Sequence, residues 1–306
     1  MATQGLDPKH ALHEWQALSL LVAYCILYRI PIHLSADTTV APNRTRDDPA
    51  VIIARIKLVT YSTTACSVFT LLILLYIDAN SNPLHLLGYW PIGVSETARA
   101  LLLNSLLFAG PLYECLLIDG TWQDWANGLQ PIRAVLSEWT EWRNIVAGPV
   151  TEECLFRSAA VPLLILSGMS MMKVVFLTPL VFGSAHLIHF YESRITNPDT
   201  PISIAIIRAL VQLTYTTLFG AYATFIYVRT GSLLAVIAVH AMCNAIGLRF
   251  TWGYVQPYWI SPVAPKNATV LLLWTVPYYV LLFGGLIAWW SCLYSLTYTD
   301  MALVKL

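Results

Sequence analysis

The sequence predicts an all-α, polytopic membrane protein, and three observations carry that prediction. Of 306 residues, 57% are apolar and 11% charged, against roughly 45–50% and 25% in an average soluble domain. The mean hydropathy is +0.63. Eight apolar runs approach the roughly 20 residues a spanning helix needs: 16–33, 56–77, 97–118, 145–168, 171–191, 201–228, 231–248 and 268–296. Lys plus Arg and Asp plus Glu number 17 each, so no polybasic surface is on offer and nucleic-acid binding is excluded.

The first run reads as a retained anchor rather than a signal peptide, because Asp7 and Glu14 stand against Lys9 where a basic segment would be needed. Pro42 and Asn43 close the first run, and Asn80 to Pro83 the second. Between the third and fourth, segment 121–143 mixes Trp122, Trp125, Trp139 and Trp142 with Asp124, Arg133, Glu138 and Glu141. That mixture suits an interfacial helix segment. Asn197, Pro198 and Pro201 precede the sixth run, Thr230 and Gly231 the seventh, and Pro257, Pro262 and Pro265 the eighth. Without repeats or low-complexity linkers, 1–306 reads as one integral membrane domain. The six Cys stand singly in mostly apolar surroundings and read as small buried residues.

Nine Lys or Arg fall on the first, third, fifth and seventh connections: Arg44, Arg46, Arg55, Lys57, Arg133, Arg143, Arg194, Arg249 and Lys266. The termini and the even connections hold five. Positive-inside places the odd connections in the cytoplasm. The sequons at Asn43 and Asn267 lie on that same side and point the other way.

Ionisable residues inside spans are expensive and mark function. Here they cluster: Glu152, Glu153 and Arg157 in the fourth run, His186 and His189 in the fifth, His240 and Asn244 in the seventh. At roughly 1.5 Å per residue, Glu152, His186 and His240 lie about 8–12 Å from helix ends on the odd side, at one common depth. Glu153 and Arg157, four apart, form an ion pair; Glu152, about 100° round the helix, is free to face elsewhere. A carboxylate beside an imidazole can activate a water, and donors at His240 and Asn244 can stabilise an oxyanion. The constellation reads as peptide or ester hydrolysis. Glu152, His186 and His240 can also be read as zinc ligands, although no HExxH is present. Arg29, Glu114 and Arg208, one per span, read as structural. A noncatalytic scaffold braced by the cluster, or a transporter using it as a proton relay, are the readings from other classes.

Three motifs carry a resemblance. Residues 151–157 (TEECLFR) resemble an EExxxR motif, 182–186 (FGSAH) an FxxxH motif, and 240–244 (HAMCN) an HxxxN motif of the CAAX protease and bacteriocin-processing family. With His186, His189, Glu192, Gln212 and the Arg229-Thr230-Gly231 run, the chain is most similar to the type II CAAX prenyl endopeptidases of the endoplasmic reticulum, over a core at 110–247. The resemblance implies an intramembrane glutamate protease that removes the terminal tripeptide of farnesylated or geranylgeranylated CaaX proteins, such as Ras-like GTPases, on the cytosolic side and without a cofactor. It implies Glu152 as general base with His186, His240 and Asn244 as the oxyanion hole, and Glu153 and Arg157 in support. His189 is placed beside the site, its role open between support and a plain polar contact. A prenyl tail would enter a slot opening to membrane lipid.

Overall fold

The computed structural model describes residues 12–41, 43–77, 82–184, 187–247, 249, 252–260 and 268–305. Apart from one antiparallel bridge between Ala41 and Arg44, no strand forms among them. The chain opens with two long helices, α1 (Glu14–Leu34) and α2 (Pro49–Ile77), then a single turn, α3 (Pro83–Leu86). Asn82 caps that turn by accepting from the Leu84 and His85 N–H groups. Next come α4 (Val94–Leu107) and α5 (Ala109–Tyr113), then three short helices, α6 (Trp122–Ala126), α7 (Gln130–Ser137) and α8 (Trp139–Trp142). The central segment holds α9 (Gly148–Glu153) and α10 (Ala160–Leu166). The last third holds α11 (Met171–Ser184), α12 (Ile188–Thr196), α13 (Ile202–Thr230), α14 (Leu233–Ile246) and α15 (Ala268–Leu296).

The molecule is an all-α polytopic membrane protein, but the expected count of about eight spans is not matched by continuous helices. Among the described residues, α1, α2, α13 and α15 are long and apolar enough to cross a membrane. A fifth span results if α4 and the α5 segment, bent by 84° at their junction, are joined. Hydropathy registers composition, whereas continuity depends on the backbone ladder, and proline interrupts that ladder. Gly148 N–H donates to the Arg143 carbonyl five residues back, forming a π turn directly before Pro149. A second π turn, in which Ala160 N–H reaches Leu155, precedes Pro162. The fourth apolar run is thus a broken helix, and the fifth is divided between α11 and α12.

Carbonyls near these breaks find partners across the bundle, as apolar surroundings demand. Thr70 on α2 donates to the Ala159 carbonyl (3.0 Å) and Thr63 to that of Thr151 (3.4 Å). Tyr24 on α1 bonds Thr70 (2.8 Å), and Tyr28 bonds the Thr151 hydroxyl (3.0 Å). The inward face of α1 repeats at Ala17, Leu21, Tyr24, Tyr28 and Ile32, a helical spacing. The main core joins α1, α2, the 155–164 segment, α11, α13 and α14. Its outside is equally apolar: Val22, Ile26 and Ile30 on α1, and Leu273, Val280, Phe283 and Ile287 on α15, are exposed. Exposed apolar faces on both sides of a bundle are what lipid, not water, selects. The segment read as interfacial is the run of short helices α6 to α8, with Trp122, Trp125 and Trp139 exposed.

At the end of α13 remote from the motifs, Arg229 donates to the Tyr294 carbonyl (2.9 Å) and the Thr297 hydroxyl (3.2 Å). Leu303 N–H returns to the Val228 carbonyl (2.9 Å). Gly231 sits between them with φ of 59°, and a Cβ there would run into the Met301 carbonyl oxygen. Gly231→Ala is therefore expected to lower stability by about 1–2 kcal/mol and more if the tail must move. Thermal unfolding in detergent checks this, with Gly284→Ala, whose Cβ would meet open space, as the neutral comparison.

Candidate active site

Two adjacent carboxylates on α9 have different surroundings. Glu153 is fully buried, and its Oε1 accepts from Arg157 Nη1 (3.1 Å) and from His240 Nδ1 (2.7 Å). Arg157 is the largest fully buried side chain of the core. Its Nη2 donates to the Gly220 carbonyl of α13 (3.3 Å), and its guanidinium lies 5.0 Å from the Phe182 ring centre and 6.0 Å from that of Phe219. A Cβ on Gly220 would stand 3.1 Å from Arg157 Nη2 and 2.8 Å from Pro179, so glycine is what lets the guanidinium approach the carbonyl. An unpaired buried charge costs several kcal/mol; here the carboxylate and the guanidinium neutralise each other through Glu153 Oε1, which the imidazole also engages, while Glu153 Oε2 and Arg157 Nε have no hydrogen-bond partner among the described residues.

Glu152 points to another side of the same helix and keeps 19% of its side chain exposed. Its Oε2 lies 3.9 Å from His240 Nε2, too far for a direct hydrogen bond. With Arg157 beside it Glu153 acts as acceptor, so His240 Nδ1 carries a proton. That leaves Nε2 as the ring atom facing Glu152, and each retains hydrogen-bonding capacity for a third molecule. Phe219 packs on the imidazole with ring centres 4.7 Å apart. One turn beyond His240 on α14, the Asn244 amide donates to the Asn144 carbonyl (2.8 Å) of the π turn Arg143–Ala147. That turn is tied outward, because Arg143 donates to Asn144 Oδ1 (3.0 Å), Asp47 (2.8 Å) and the Arg46 carbonyl (3.1 Å).

The structure therefore brings Glu152, Glu153, Arg157 and His240 into one cluster, with Asn244 one helical turn away. His186, and the side chain of His189, lie outside the described residues. Among the described residues no group of three or more His, Cys, Asp or Glu side chains is placed to hold a metal ion. Of the three isolated ionisable residues, Arg208 is exposed on α13, whereas Arg29 Nε and Glu114 Oε2 are buried without hydrogen-bond partners among the described residues. Glu192, on α12, is buried and accepts from Arg55 Nη2 (2.7 Å), while Arg55 Nε donates to the Thr38 carbonyl (2.9 Å).

Sequence reasoning missed several supports. Asn104, fully buried on α4, bonds Cys243 on the turn between His240 and Asn244 (3.6 Å). An Asn within an apolar run was a readable signal. The carbonyls of Gly220 and Asn144 offered none, since any residue carries one.

Residues 135–246 match the family model described as type II CAAX prenyl endopeptidase Rce1-like. Over 232 residues the chain is 32% identical to a probable CAAX prenyl protease 2 of Schizosaccharomyces pombe, covering 76% of this chain and 81% of that protein. It is 36% identical over 163 residues to CAAX prenyl protease 2 of Arabidopsis thaliana, covering 48% and 52%. Against CAAX prenyl protease 2 of Homo sapiens the identity is 34% over 216 residues, covering 66% and 63%. No solved structure matches.

The unequal burial of the two carboxylates has a measurable consequence. Glu153→Ala strands the buried Arg157 and is expected to cost about 3–5 kcal/mol, whereas Glu152→Ala, at a partly open position, costs less than half of that. Thermal unfolding of both variants in the same detergent makes the comparison.

Proposed function

Because the chain belongs to the type II CAAX prenyl endopeptidase family, we propose that it is an intramembrane peptidase that removes the terminal tripeptide from prenylated CaaX proteins, using a water activated by Glu152. The observation that carries the reading is the division of labour on α9. Glu153 is committed to Arg157 and His240, while Glu152 is the carboxylate with an open edge beside an imidazole nitrogen.

In the proposed reaction a water on Glu152, which His186 is assigned to help hold, loses a proton to Glu152 as its oxygen attacks the carbonyl of the prenylated cysteine. The carbonyl becomes an oxyanion, which accepts hydrogen bonds from His240 Nε2 and the second amide hydrogen of Asn244. Donation from Nε2 requires the doubly protonated ring, which Glu153 at Nδ1 holds in orientation as a buried carboxylate does behind a histidine. When the C–N bond breaks, the proton held by Glu152 passes to the departing amine of the tripeptide. His189, like Arg157, is assigned to support. Donors preset where the oxyanion forms cost little reorganisation during reaction.

The substrates proposed are farnesylated or geranylgeranylated proteins such as Ras-like GTPases, reached from the cytosolic face of the endoplasmic reticulum membrane. Clustering of basic residues supports that orientation: Arg46 and Arg143 lie beside Asn144 and Asn244, at the end of the bundle that the charge count assigns to the cytosol. The prenyl chain would contribute about 0.8 kcal/mol for each CH₂ buried.

Release of the tripeptide from a farnesylated CaaX peptide by protein in liposomes tests the reading. Glu152→Ala is expected to abolish release, and a strong chelator to leave it intact. Restoration by zinc after chelator loss would move the chemistry to a metal. Asn244→Ala is expected to lower kcat by about 10²–10³ with KM little changed. The expressed protein is expected to show no glycosidase-sensitive shift, since the exposed Asn43 would then face the cytosol.

A further inference from the structure

Of the three arginines around the cluster, Arg55 and Arg157 are held in ion pairs, whereas Arg29 makes none among the described residues. Glu153 serves Arg157 and His240, and Glu192 serves Arg55. Arg29, on α1, has its Nε buried without a hydrogen-bond partner among the described residues. Four residues on, and so on the same face of α1, His33 has its Nε2 buried and unpartnered in the same way. The register of α1 sets Arg29 beside the motif helix, because the preceding residue, Tyr28, bonds the Thr151 hydroxyl next to Glu152 (3.0 Å). The charges acting on Arg29 are Glu152 and Glu192, which attract it, and Arg55, which repels it. His33 lies within electrostatic range of Glu192, Arg29 and Arg55. Arg29 Nε and His33 Nε2 thus stand as two buried, unpartnered ring or guanidinium nitrogens on one face of α1, and a buried donor without an acceptor calls for one.

We propose that Arg29, assisted by His33, binds the free C-terminal carboxylate of the substrate and so measures the distance from the chain end to the scissile bond. This rests on the peptidase reading above, which supplies a substrate ending three residues beyond the cut. Three extended residues span about 10 Å, and neighbouring helices lie about 8–10 Å apart. A carboxylate three residues from the carbonyl at Glu152 therefore reaches the adjacent helix rather than α9 itself. A guanidinium there recognises a carboxylate in a bidentate manner that a lysine cannot reproduce. Cleavage would then be confined to substrates whose chain ends at the correct distance, with the long arm of Arg29 as the gauge.

The test compares one farnesylated CaaX peptide as its free acid and as its C-terminal amide. The full-length protein in liposomes is expected to cleave the acid with kcat/KM roughly 10- to 100-fold above the amide, mostly through KM. Arg29→Gln is expected to erase that preference by weakening acid cleavage alone, Arg29→Lys to keep part of it, and His33→Gln to reduce it. Equal cleavage of acid and amide by the unaltered protein overturns the carboxylate subsite while leaving the peptidase reading intact. So does an Arg29→Gln variant that slows both peptides by the same factor, which is the signature of a structural role. Cleavage of neither peptide by the folded, unaltered protein overturns both.

Discussion

The buried triad of Arg157, Glu153 and His240 is the constraint on which the rest of the site depends. It joins three parts of the bundle, because Arg157 also holds the Gly220 carbonyl on α13 and His240 belongs to α14. A guanidinium with no exposed surface is tolerable only if its counter-ion is locked in place. That lock takes Glu153 out of solvent-facing chemistry and fixes which ring nitrogen of His240 is turned towards Glu152. Stability and site geometry therefore draw on the same atoms.

Around that lock, the backbone is broken where the chemistry is concentrated. Of three π turns among the described residues, two flank the pair Glu152 and Glu153, one before Pro149 and one before Pro162, and the third follows α5 at Glu114–Ile118. A regular helix leaves no carbonyl to spare, but a π turn displaces the ladder by one residue. The displaced register lets the Asn144 carbonyl accept from Asn244, and threonines of α2 serve the carbonyls of Thr151 and Ala159. In apolar surroundings these side-chain donors take the place of water. The hydroxyls of α1 and α2 thus tie two long spans to an interrupted helix.

Electrostatic pairing extends outward in layers from the triad. Arg55 and Glu192 link α2 to α12 beneath the Thr38 carbonyl. Arg143 joins the first π turn to Asp47 in the segment after α1. Each basic residue of these layers sits near the same end of the bundle as Asn244, so the charge asymmetry seen along the chain and the position of the site share one origin. Arg249, which pairs with Asp119, continues the same distribution.

Membrane class and the convergence of Glu152, Glu153, Arg157 and His240 were legible in the sequence, because lipid imposes a composition and penalises each buried charge individually. The four-residue spacing of Glu153 and Arg157 made their pairing readable, since helix geometry alone decides it. The number of continuous spans was not readable, because an apolar run looks the same whether its hydrogen-bond ladder is whole or broken by Pro149. The partnership of His240 with Glu153, 87 residues away, and the support of Cys243 by Asn104 were settled only when α9, α14 and α4 packed together. Sequence determines which groups must be neutralised; tertiary packing decides by which partner, because pairing depends on distances of a few ångströms between helices that the chain order does not encode.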